Sequence, residues 1–93
     1  MITLTLYSRP GCHLCDEMKA VVQRVAMSFP LTPVKIAEID ISTDPALDER
    51  YGAEIPVLLV EGKKVAKYRI GEDELRRVLL AREREAGGAG GAE

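Results

Sequence analysis

Ninety-three residues, 46% of them hydrophobic, with a formal net charge of −2, suit one modest globular core and argue against a disordered chain. The charged residues, 30% of the total, form no basic run or stripe, so a nucleic-acid partner is not expected. No apolar stretch approaches the ~20 residues that span a bilayer. Membrane association is therefore not expected. The opening Met1-Ile2-Thr3-Leu4-Thr5-Leu6 lacks the charged region and small-residue cleavage site of a secretory signal, which predicts a cytoplasmic location.

Ile2, Leu4 and Leu6 alternate with Thr3, Thr5 and Tyr7, the period of two expected of a strand. Ser8 to Gly11 supply turn residues. Leu14, Met18, Val21, Val22, Val25 and Phe29 then fall on one stripe of an amphipathic helix, which Pro30 and Pro33 end. A second strand is predicted from about Val34 to Asp40. Its apolar phase shifts between Ile36 and Ile39, which predicts an irregularity there. Asp44 and Pro45 open a short helix as N-cap and first residue, and Gly52 closes it. Val57 to Val60 is a continuous apolar run, as in a strand covered on both faces. Glu61-Gly62-Lys63 turns the chain into a fourth strand, roughly Lys64 to Arg69, whose charges suit a sheet edge. Gly71 precedes a last helix carrying Leu75, Val78 and Leu79 on one face. Residues 86–93 are nearly all Gly and Ala and are expected to be a disordered tail on a domain of residues 1–85. The order is βαβ, a short helix, then ββα. A right-handed crossover makes the first two strands parallel and the hairpin adds an antiparallel pair, giving an α/β fold. The expected architecture is a four-stranded mixed sheet with helices on both faces.

The only two cysteines stand at positions 12 and 15, where the first strand hands over to the first helix. That placement puts Cys12 at the helix N-terminus, where exposed N–H groups and the positive end of the helix dipole stabilise a thiolate. Cys15 lies one turn further on, within reach of the Cys12 sulfur and more covered. The division of labour follows: Cys12 attacks a substrate disulfide and Cys15 resolves the mixed disulfide. A pair of structural cysteines is the bland alternative. A zinc site needs four ligands, and Cys12, Cys15 and the single His13 do not supply them within one chain. No metal site is expected unless two chains share one. Around the pair, Arg9 either adds positive potential or is an ordinary solvated turn residue. His13 either lowers the Cys12 pKa when protonated or is an exposed histidine with no role. Asp16 and Glu17 suit a helix start but oppose the thiolate.

The segment Tyr7-Ser8-Arg9-Pro10-Gly11-Cys12-His13-Leu14-Cys15 resembles the glutaredoxins, whose first strand runs into Tyr-Ser-Lys/Arg-x-x-Cys-x-x-Cys. Glu49 to Val60, with Ile55-Pro56 at its centre, is closer to thioredoxin. The resemblance covers about residues 2–85 and implies a thioredoxin-like fold. It implies that Pro56 follows a cis peptide bond and faces the cysteines, and that Ile55 offers its backbone N–H and C=O to substrate as an added strand would. It matches Arg9 to a residue that pairs with a carboxylate of glutathione. Gly71, Glu72 and Asp73 resemble the end of the Gly-Gly-x-Asp segment that holds the γ-glutamyl end of that tripeptide, and His13 sits in the variable dipeptide of the motif. Ile70 replaces the first glycine of that segment and crowds the backbone approach.

The resemblance thus implies a monomeric thiol–disulfide oxidoreductase with no bound cofactor and with glutathione as a co-substrate. Its partners would be oxidised protein or small-molecule disulfides, with glutathione or a thioredoxin reductase as electron donor. The alternative is a glutaredoxin-like module that holds an iron–sulfur cluster or metal between two chains. The presence of Cys15 favours redox exchange.

Overall fold

The computed structural model describes residues 1–29 and 32–92, with side chains through residue 83. Alternation along the first strand, β1 (Ile2–Ser8), is strict: Ile2, Leu4, Leu6 and Ser8 are buried, and the residues between them are half-buried. β1 sits inside the sheet. It pairs in parallel with β2 (Val34–Asp40) and antiparallel with β3 (Val57–Val60), and β3 pairs antiparallel with β4 (Lys63–Lys67). The four-stranded order is β2-β1-β3-β4, the mixed sheet that the element order predicts.

The even face of β1 carries the main core. Leu4, Leu6, Leu58 and Val60 meet Met18, Val22 and Val25 of α1 (His13–Ser28) and Leu75 and Leu79 of α3 (Glu72–Ala92). Each such side chain contributes roughly 1.5–3 kcal/mol when fully buried. On the other face Tyr7 of β1 stacks on Tyr51 of α2 (Pro45–Tyr51), with ring centroids 4.5 Å apart and planes 15° from parallel. Helices therefore lie on both faces. Asp44 caps α2 as its sequence position predicts, its carboxylate accepting from the N–H groups of Ala46 (3.0 Å) and Leu47 (3.4 Å). Among the described residues, no helix is long and apolar enough to cross a membrane.

Four details differ from the sequence-based expectations or lie beyond what is described. β2 has no irregularity: it follows β1 in unbroken register from Ile2–Val34 to Ser8–Asp40. Ile36 packs against the main core, whereas Ile39 lies opposite Tyr7, on the α2 face. An edge strand with an apolar residue on each face produces the phase shift without any bulge. The register shift instead falls in the β3–β4 ladder, at Leu58–Leu59. β4 ends at Lys67 because Tyr68 leaves the extended region at φ 72°. The hairpin before it turns on Glu61 and Gly62, both at positive φ (50° and 81°), the combination that matches the twist of paired strands. Helical backbone continues through Ala92, over residues that the composition assigns to a disordered tail. Extension from an existing helix spares the cost of nucleation, which acts against the unfavourable helix propensity of the four glycines there. Pro30, expected to stop α1, lies outside the described residues; Phe29 before it is the C-cap.

Candidate redox site

The link from β1 to α1 is a turn dictated by two residues. Pro10 suits its second position, and Gly11 takes φ 80° at the third. The N–H of Cys12 closes the turn on the carbonyl of Arg9 at 3.2 Å. Cys12 is thereby delivered in extended conformation to the N-cap of α1, where its Sγ accepts the N–H of Cys15 at 3.1 Å. Cysteine here occupies the place of a capping serine or aspartate. Cys12 and Cys15 are joined in a disulfide, with Cα atoms 5.2 Å apart. Cys12 is half-buried and Cys15 only 2% exposed, the accessible and covered partners that the spacing predicts. The N–H of Cys15 and the positive end of the α1 dipole thus both lie at the Cys12 sulfur.

Pro56 is buried and follows a cis Ile55–Pro56 bond. The register that pairs Tyr7 with Val57 sets Pro56 at the end of the sheet where β1 hands over to the cysteine turn. Arg9, on that turn, is paired with Asp48 of α2. His13 projects into solvent, its side chain 91% exposed and 3.7 Å from Glu17. Gly71 is exposed and Asp73 nearly fully so, the latter beside Arg76 at 3.4 Å. Glu72 between them reaches back to Arg24 of α1 at 2.7 Å, which holds its carboxyl below the usual range. Ile70 is a core residue, 7% exposed, so the position corresponding to the first glycine is filled from inside.

A second set of polar residues supports the turn and has no motif to announce it. Ser8 is buried, and its hydroxyl donates to Glu38 of β2 at 3.1 Å; Glu38 also meets Lys19 of α1 at 2.9 Å. Strand, neighbouring strand and helix are thus tied together just before the cysteines. Beside them a groove of about 280 Å³ is lined by Ser8 to Gly11 with Asp16, Glu38 and Asp40. The Ser42 hydroxyl and N–H, and to a lesser extent Arg9, hold Asp40 ionised below the ordinary carboxylate range. Among the described residues, no group of three or more His, Cys, Asp or Glu is placed to hold a metal ion.

The network makes a testable demand on pH. The hydrogen bond from Lys19, then that from Ser8, lower the pKa of Glu38 against the opposing effect of burial, and Glu38 in turn raises that of Lys19. A depressed carboxyl pKa stabilises the fold above its unfolded value and loses that contribution as pH falls through the folded value. Lys19 contributes below its unfolded pKa and loses that contribution as pH rises through its raised value. Glu38→Gln is therefore expected to unfold at lower urea than wild type at neutral pH, with the two midpoints converging through the acidic carboxylate range. A gap that stays constant down to low pH would remove Glu38 ionisation from the account.

A family model described as glutaredoxin-like domain (DUF836) matches residues 3–80, a span that includes both cysteines, Pro56 and the whole sheet except Ile2. The chain belongs to the glutaredoxin-like domain family. This glutaredoxin-like protein is 32% identical over 77 residues to the glutaredoxin-like protein YDR286C homolog of Dictyostelium discoideum, covering 80% of its own length and 71% of the relative's. The X-ray structure of protein XcR50 from X. campestris matches with a TM-score of 0.67 at 29% identity, over 84% of this chain and 96% of that one. A thioredoxin variant from Halobacterium salinarum matches with a TM-score of 0.62 at 25% identity, over 86% and 73% of the two chains. The fold is that of thioredoxin, as the sequence resemblance implies.

Three residues that brace the surroundings of the cysteine pair, without touching it, escape a reading of the sequence. Asp48, Glu38 and Tyr68 belong to no motif, and each acts on a partner at least 12 positions away. Glu38 leaves one faint trace, as a charge on the core-facing phase of β2.

Proposed function

We propose that the glutaredoxin-like protein is a cytoplasmic, monomeric dithiol reductant that passes two electrons to a protein disulfide or a glutathione mixed disulfide. The observation that carries this reading is the half-buried Cys12 sulfur at the N-cap of α1, with Cys15 buried one turn behind it. The Cys12 thiolate attacks one sulfur of the substrate disulfide, forming a mixed disulfide and releasing the other substrate sulfur as a thiolate. Cys15 then loses its proton and attacks the Cys12 sulfur. The Cys12–Cys15 disulfide forms, and the second substrate thiol leaves. Two electrons pass to the substrate and both bonds are accounted for. No bound cofactor is required; glutathione or a thioredoxin reductase returns the electrons.

The test is direct. The reduced protein mixed with a disulfide-bonded protein substrate is expected to end as the Cys12–Cys15 disulfide while the substrate gains two thiols. Regeneration by glutathione and, separately, by thioredoxin reductase with NADPH identifies the donor. A reduced protein that leaves every offered disulfide intact would defeat the reading.

The glutathione part of this reading rests on Arg9, with Gly71 to Asp73 completing a partial site. His13, exposed at the mouth, flanks the substrate. Arg9 must leave Asp48 to meet a glutathione carboxylate, so Asp48 competes with the tripeptide. Exposed ion pairs of this kind contribute ~0.2–1 kcal/mol, which sets the scale. Asp48→Ala is expected to tighten glutathione binding by at most about 5-fold, and Arg9→Ala to weaken it and to cancel the Asp48→Ala gain. Titration calorimetry on the three variants reads this out; unchanged affinity in Arg9→Ala would remove Arg9 from the site.

A further inference from the structure

Tyr68 adopts φ 72°, in the left-handed region that side chains avoid and a bulky aromatic one avoids most. Strain of this kind persists only where the surroundings hold it: the Arg69 N–H closes a tight turn over Tyr68 on the carbonyl of Lys67 at 2.8 Å, and two further hydrogen bonds of Tyr68 reach one loop. The Tyr68 N–H donates to the carbonyl of Pro56 at 2.8 Å, and its hydroxyl donates to the carbonyl of Ala53 at 3.1 Å. One residue therefore ties both ends of the Ala53–Pro56 loop. Between those ends, the Glu54 N–H bonds to the carbonyl of Tyr51 at 2.8 Å, and the Glu54 carboxylate meets Lys64 at 3.0 Å. Among the described residues, only Ile55 in this loop has both its N–H and its C=O unpaired within the chain. The loop lies at the end of the sheet where β1 passes to Cys12. Ile55 offers one donor and one acceptor, the minimum needed to pair with an extended backbone.

We propose that Tyr68 is a positioning residue for substrate: it braces the Ala53–Pro56 loop so that Ile55 presents its N–H and C=O to an extended peptide flanking the disulfide. This inference rests on the thiol–disulfide reading above and adds the residue that sets the loop's geometry. Tyr68 does not touch the sulfurs in this scheme. Its effect is on docking and not on thiolate formation, and small disulfides without backbone amides are indifferent to it.

The test uses the full chain, a synthetic peptide whose disulfide lies in an extended backbone, and a small aromatic disulfide without amides. Tyr68→Phe removes only the hydroxyl bond to Ala53. Tyr68→Gly removes the side chain and accepts the positive φ, so it controls for strain. Both variants are expected to raise KM for the peptide by about 2- to 10-fold, the range of one hydrogen bond. Their kcat, the pH profile of Cys12 alkylation and turnover of the small disulfide should stay within about two-fold of wild type. Equal losses on both substrates would reduce Tyr68 to a structural role, and an unchanged peptide KM in both variants would end the proposal. If wild type reduces neither substrate, the thiol–disulfide reading falls and takes this inference with it. If wild type reduces both and the variants match it, only the role of Tyr68 is lost.

Discussion

With Cys12 replaced by serine, thiol release from a protein disulfide is expected to drop to the uncatalysed rate, whereas Cys15→Ser should accumulate a covalent adduct with the substrate. The asymmetry follows from geometry. Cys12 is the more exposed of the two cysteines and its Sγ receives the N–H of Cys15 at the start of α1, the placement that favours a nucleophilic thiolate there. Serine there cannot displace a sulfur from a disulfide. Cys15 is covered and acts only after the mixed disulfide has formed, so removing it halts the reaction at that intermediate. Mass spectrometry after mixing Cys15→Ser with substrate should show the mass of both partners, and a reducing agent should dissolve the adduct. Alkylation of the reduced wild type supplies the check on acidity: Cys12 should react first, with a pKa below the free-cysteine value of ~8.5. Labelling of Cys15 ahead of Cys12 at neutral pH would reverse the assignment.

The largest effect on stability is expected at Leu6. It is fully buried in the middle of β1, between β2 on one side and β3 on the other, and its side chain belongs to the core shared with α1 and α3. Leu6→Ala removes three carbons and leaves a cavity that a strand held on both edges cannot collapse to fill. The expected cost is about 2–5 kcal/mol, a large share of the ~5–15 kcal/mol typical of a whole domain. Urea unfolding should show a lowered midpoint at unchanged slope. A loss below ~1 kcal/mol would mean that the surrounding helices close the gap. Cys12 alkylation in the fraction that remains folded should keep its wild-type pH profile, because the thiolate is set by the local N-cap and not by the core.

These two predictions draw on different scales of the molecule, and the sequence discloses them unequally. Leu6 and its neighbours were legible because alternation on β1 reports burial directly. The stripe from Met18 to Val25 and the pair Leu75 and Leu79 did the same for the helices. Asp44, Pro45 and Gly52 bounded α2, and Pro10 with Gly11 set Cys12 at a helix start. In each case the energy resides among residues within about four positions of one another, so a linear reading reaches it. At β2 the same reading misled. Ile39 broke the phase because an edge strand has apolar neighbours on both faces, a fact set by Tyr7 on the adjacent strand.

From its sequence alone, the protein is a mixed α/β chain with an asymmetric cysteine pair at a helix N-terminus and a glutaredoxin-like motif around it. Tertiary structure alone decided what surrounds that pair. Arg9 is held by Asp48, Ser8 by Glu38 and Lys19, and the Ala53–Pro56 loop by Tyr68. Ion pairs and hydrogen bonds between distant positions leave no period and no spacing. They exist only after packing of the core has carried their partners to the same end of the sheet.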